Sequence, residues 1–171
     1  MANTYVKIAS VTVGSGGAAS IDFTSIPGTY TDLVVKLSSR STTGTTAVGA
    51  TLNSDTGSNY TERQLEGNGS GVSSASGTYS SMRMGSSNGG TDTTSNTFAS
   101  SELYIPNYAG SSNKSASTDA VTENNTSTAY ANLRALLWNN TSAITSISIK
   151  NTNGNNFVQY STATLYGIKN S

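Results

Sequence analysis

The stretch Tyr130-Ala-Asn-Leu-Arg-Ala-Leu-Leu-Trp138 decides what kind of fold this chain adopts. Ala, Leu and Arg favour helix, and Leu133, Leu136 and Leu137 recur at helical spacing. Taken with period two, the same residues place Ala131, Leu133, Ala135 and Leu137 on one clean face of a strand. The neighbouring segments favour the strand, because Ile144 to Ile149 and Phe157 to Ile168 alternate in the same way. With no helix here, no other stretch offers one.

Working outward, Tyr5 to Val13 alternates with apolar residues on both faces, Val6 and Ile8 on one and Ala9, Val11 and Val13 on the other. Ile21 and Phe23 share a face of a short strand that ends at Pro27-Gly28. Leu33, Val34, Val35 and Leu37 form the nearly continuous apolar run of a central strand. Val48 to Leu52, Tyr60 to Leu65, Leu103 to Ile105 and Ala116 to Val121 supply further strands. Between Gly67 and Thr97 glycine and serine concentrate, which predicts one short strand around Met82 and Met84 between two mobile loops. The expected fold is therefore all-β: one domain over residues 1–171, an antiparallel β-sandwich of the jelly-roll kind, with a Gly/Ser-rich loop region around 67–97. Its core is expected from Val6, Ile8, Leu33, Val35, Leu37, Leu133, Leu137, Ile147, Ile149 and Leu165.

Composition supports this reading and removes several functions. Ser, Thr, Asn and Gly fill more than half of the 171 residues, yet 9 Tyr, only 2 Pro and a net charge of zero do not describe a disordered chain. Charged residues make up 11%, with 9 Lys+Arg against 9 Asp+Glu, so nothing matches a phosphate backbone or an anionic membrane. The absence of Cys and His removes thiol chemistry, the commonest general base and the usual transition-metal ligands. No signal peptide and no apolar run of membrane-spanning length is present, so a soluble, unprocessed chain is expected.

Few residues remain that can carry chemistry. Glu62 and Glu66 lie four apart, roughly 13 Å along a strand, which is too far for a glycosidase pair. They read instead as charges alternating on a half-exposed strand, with Arg63 available to a neighbouring carboxylate. Asn53, Asp55 and Asn59 offer oxygens to a calcium ion, but a single carboxylate is a poor donor set and an Asx turn accounts for them better. No catalytic residue, cofactor site or metal site is therefore expected. Trp138 beside Asn139 and Asn140, with Tyr104 and Tyr108, could stack on a sugar ring; a lone Trp in a small β domain more often plugs the core. Met82 and Met84 share one strand face and would form an adaptable partner contact if exposed.

Three passages carry a family resemblance: Phe23-Thr-Ser-Ile-Pro-Gly-Thr-Tyr-Thr-Asp-Leu-Val-Val-Lys-Leu37, Glu102-Leu-Tyr-Ile-Pro-Asn-Tyr108 and Phe157-Val-Gln-Tyr-Ser-Thr-Ala-Thr-Leu-Tyr-Gly-Ile168. In these the chain resembles small β-rich virion structural proteins of tailed, particularly marine, bacteriophages. The resemblance implies a non-enzymatic virion component, made in the host cytoplasm, that decorates or cements the capsid. Its implied partners are its own copies, as a homo-oligomer such as a trimer, and the major capsid protein or other virion proteins. The alternative is a tail-fibre or tail-tip adhesion domain that binds host surface glycans; the lack of a heptad or fixed repeat for a shaft favours decoration.

Overall fold

The computed structural model describes residues 4–90, 93–125 and 129–169. Among these there are twelve strands and no α-helix. In chain order they are β1 (Tyr5–Thr12), β2 (Ile21–Phe23), β3 (Asp32–Ser41), β4 (Thr46–Leu52), β5 (Tyr60–Gly67), β6 (Val72–Tyr79), β7 (Met82–Gly89), β8 (Ala99–Pro106), β9 (Lys114–Val121), β10 (Ala131–Trp138), β11 (Ile147–Asn151) and β12 (Thr162–Ile168). The chain is an all-β, antiparallel sandwich. One sheet runs β1-β12-β3-β8-β9-β10-β5-β6 and the other β2-β11-β4-β7. A short parallel pairing of Arg40 and Ser41 on β3 with Asn88 and Gly89 on β7 joins the two at one side.

Between the sheets lies one apolar core. Leu33, Val35 and Leu37 of β3, Leu103 and Ile105 of β8 and Leu165 of β12 face Ile21, Phe23, Val48, Leu52, Ile147 and Ile149 of the smaller sheet. Six of the residues expected in the core are there. Val6 and Ile8 are only partly buried, and a bulge accounts for both them and the mixed faces of β1: register against β12 shifts between Lys7 and Ala9. One inserted residue reverses the alternation, so Val6 lies opposite Gly167, while Ala9 and Val11 lie opposite Leu165 and Ala163 on the same inward side.

The strand over residues 131–138 is present, but with its faces exchanged. Asn132, Arg134, Leu136 and Trp138 point inward, whereas Leu133 is 58% exposed and Leu137 only partly buried. The choice between faces is made by what covers them. β7 lies over β9, β10 and β5, and the side chains it brings to β10 and β5 include Arg83 and Ser86, so the facing positions of those strands are polar.

The Gly/Ser-rich region also differs from expectation. Residues 72–79 and 82–89 form two eight-residue strands rather than one short strand between loops. On β7 the small residues permit close approach of the sheets. Gly85 has φ +99°, and a Cβ there would lie 2.3 Å from the Cβ of Ala120 on β9. Arg40 ties down the chain beyond β7, donating to Gly90 O, Thr93 Oγ1, Thr94 O and Thr97 O at 2.9–3.1 Å.

Candidate functional site

Two surfaces of the extension β9-β10-β5-β6 stand out, one on each face. On the inner face, beyond the Trp138 end, the side chains are polar. Arg134 Nη1 donates to Glu62 Oε2 at 2.9 Å, and Nη2 donates to Asn132 Oδ1 at 2.8 Å; Arg134 and Glu62 are 6% and 4% exposed. Gln64 Nε2 donates to Glu66 Oε2 at 3.3 Å beside them. Opposite, on β7, the Arg83 guanidinium lies 4.3 Å above the Tyr79 ring. These groups line a cleft of about 370 Å³ between these strands and β7. It balances two carboxylates against two guanidiniums and, among the described residues, holds no nucleophile paired with a base; its groups accept and donate hydrogen bonds.

The outer face carries an apolar patch at one end, beside exposed Asp119 and Arg63. Leu65 and Leu133 lie opposite each other across β5 and β10, and Val121 lies opposite Ala131, with Val72 beside Gly67 at the strand ends. Leu65, Leu133 and Val72 are 51%, 58% and 77% exposed, and with Val121 they rim a shallow depression of about 330 Å³. Outside this face, the only exposed large hydrophobic residues among those described are Tyr5 and Tyr160.

Of the residues singled out in the sequence, four are fully buried and offer no surface. Trp138 stacks on Tyr60 with ring centres 6.2 Å apart, and its Nε1 donates to Asp55 Oδ2 at 2.7 Å. It plugs the end of the sandwich. Met82 and Met84 fill the core rather than a partner contact. Tyr108 is buried, its hydroxyl donating to Pro27 O, and burial pushes that hydroxyl above its usual range. Tyr104 is half-buried on the outer face of β8; it donates to Asp32 Oδ2 at 2.9 Å, and this bond raises its pKa. None of the three aromatic rings therefore lies at the cleft.

The Asn53–Asn59 loop is a turn whose oxygens are engaged. Asn53 Oδ1 accepts from the amides of Thr145 and Ser146. Asp55 accepts from Trp138, Asn59 and the amide of Gly57, bonds that hold its carboxyl below the ordinary aspartate value. Tyr60 donates to Asp55 O at 2.9 Å, and burial lifts its hydroxyl to about 12. Glu62 and Glu66 face the cleft together, but the partner of Glu62 is Arg134 from the adjacent strand, while Arg63 donates to a backbone carbonyl. The spacing of charges within β5 carries no sign of that ion pair, which depends on the register of β10. Buried Lys114, opposite Trp138, donates to the carbonyls of Gly110, Ser112 and Thr141, and burial lowers its pKa.

No family model matches this chain, and neither does any curated protein or solved structure.

Proposed function

We propose that the protein is a non-enzymatic structural component of a virion, a jelly roll whose enlarged sheet provides assembly contacts on the capsid surface. The observation that carries the assembly part is the outward apolar face of Leu65, Val72, Val121 and Leu133, because exposed apolar surface clustered on one sheet face marks a partner-binding region. The virion part rests on the resemblance of residues 23–37, 102–108 and 157–168. The jelly-roll reading is supported by strand order. β1, β12, β3 and β8 in one sheet have β2, β11, β4 and β7 as chain neighbours in the same order in the other, as two wrapped Greek keys require. The hairpins β5-β6 and β9-β10 are then insertions that pair with each other and lengthen one sheet.

The test is a density map of the virion. Density for this chain on the capsid lattice, with the outer face of β5 and β10 against a neighbour, supports decoration; its absence from the particle overturns the reading. Density at a tail tip selects adhesion to host glycans, the second reading. The cleft favours that one, since Glu62, Gln64, Glu66 and Arg83 offer the mixed acceptors and donors that neutral sugar hydroxyls need.

A further inference from the structure

Open strands at sheet edges present unpaired N–H and C=O groups, and folded proteins guard them with short length, charge, proline or bulges. Four strands end the two sheets here. β2 is three residues long. β1 carries Lys7 at its bulge. β7 carries Arg83, shifts register against β4 between Ala47 and Gly49, and is covered at its far end by β3. β6 has none of these guards. It runs for eight residues, Val-Ser-Ser-Ala-Ser-Gly-Thr-Tyr, in unbroken register with β5, without charge or proline. Among the described residues nothing pairs with its other side.

The hydrogen-bond phase of that open side follows from its neighbours. Asn68 N donates to Gly71 O at the hairpin, and Asn139 N donates to Asn59 O on the far side of β5. Antiparallel alternation from both points directs the N–H and C=O of Ser73, Ala75, Gly77 and Tyr79 to β5. Those of Val72, Ser74, Ser76 and Thr78 face the open edge.

We propose that β6 pairs antiparallel with β6 of a second copy of this chain, across a twofold axis through Ala75. Residues directly opposite in an antiparallel pair share a face. With the axis at Ala75, Val72 meets Thr78 of the second copy and Ser74 meets its Ser76. Every edge-facing N–H and C=O of these four residues is then bonded, whereas an axis shifted to Ser74 or Ser76 leaves part of the set unpaired. The side chains brought together are uncharged: valine on threonine and serine on serine on the outer face, and on the inner one alanine on alanine and serine on glycine, where the Tyr79 ring lies over the glycine. No like charges oppose, and the most exposed valine gains a neighbour. This self-complementarity selects a second copy over a foreign strand. The contact closes as a dimer and is distinct from any threefold contact made elsewhere. It goes beyond the virion reading and holds or fails on the purified chain alone.

Because the sequence contains no cysteine, single substitutions give a clean test. Ala75→Cys would place two thiols across the axis in a non-hydrogen-bonded pair with Cα atoms roughly 4.5 Å apart, within disulfide reach. Mild oxidation should convert most of it to a covalent dimer. Ser73→Cys, whose own copy lies about 13 Å along the strand, should remain uncrosslinked. Ser76→Pro removes an N–H that β5 does not use, and Ser76→Lys places a charge beside its own copy; each should sediment as a monomer with an unchanged circular-dichroism spectrum and a Tm independent of protein concentration, where the parent sediments as a dimer whose Tm rises with concentration. A monomeric parent, equal crosslinking at positions 73 and 75, or a Ser76→Lys dimer would overturn the proposal.

Discussion

The eight-strand sandwich and the four-strand extension use the same alternating pattern with opposite polarity. In β3, β8 and β12 the inward positions are Leu33, Val35, Leu103, Ile105 and Leu165, all buried against the smaller sheet. In β5 and β10, away from Trp138, the inward positions are Glu62, Gln64, Asn132 and Arg134, and the leucines at 65 and 133 face out. The difference follows what β7 presents to each region: Met82 and Met84 fill the apolar core, while Arg83 and Ser86 line the cleft against β5 and β10. Where the covering side chains are apolar, apolar side chains turn toward them. Where they are polar, the chain buries a cleft of paired charges and leaves an apolar patch on its outer face.

Breaking the charge pair should have the largest effect. Arg134→Met leaves the Glu62 carboxylate buried without its cation, and urea unfolding should show a loss of about 3–5 kcal/mol. Adding Glu62→Leu removes the stranded charge and should recover most of that loss. If the single variant costs less than about 1 kcal/mol, the inner face of the extension is solvated rather than buried.

A matched pair of leucines sharpens the contrast between faces. Leu165→Ala in the sandwich should cost about 2–5 kcal/mol, and Leu133→Ala in the extension about 0.5 kcal/mol or less, both read from urea midpoints at equal m-value. Equal losses would mean that the outer face of β10 is covered in solution.

The seam between the two regions is Asp55, Tyr60 and Trp138. Asp55→Asn weakens a charge-assisted bond to Trp138 and should cost about 1–2 kcal/mol at neutral pH. The folded carboxyl lies below 3.8, so its contribution is complete above that pH and disappears as pH falls through the folded value; the variant should show a flatter acid limb in Tm against pH. At the alkaline end the smallest effect is expected. Tyr60 is raised from 10.0 to about 12, so it stabilises fully below pH 10 and loses that contribution as pH rises through 12. Lys114, with its pKa lowered by burial, opposes this in the window below 10.5, where the unfolded chain holds more protons. Lys114→Met should therefore steepen the alkaline fall of Tm.

How far the sequence could be read depended on what each residue needed from its neighbours. Period two marked the strands at 5–12, 131–138 and 162–168, because alternation is a property of the local backbone, and a nearly continuous apolar run marked the central one at 32–41. Trp138 was legible as a plug because a lone large aromatic at a strand end must be buried somewhere. The reversed face of β10 was not legible, since Ala131, Leu133, Ala135 and Leu137 form the more apolar side and nothing local reveals which side chains β7 places against the other. Serines and glycines at 72–89 resemble loop by composition, yet form strands because β5 and β4 provide ladders for them. The cleft brings Glu62, Arg83 and Arg134 together from three strands whose registers no single segment encodes.

By itself the sequence determined the absence of thiol and imidazole chemistry, the low charge and the all-β class, because those follow from residue type and local period. Tertiary structure alone decided which face of each strand is inside, which glutamate meets which arginine, and that β6 is the edge left without a guard. Those outcomes depend on strand order and register, and both are set by pairings between residues far apart in the chain.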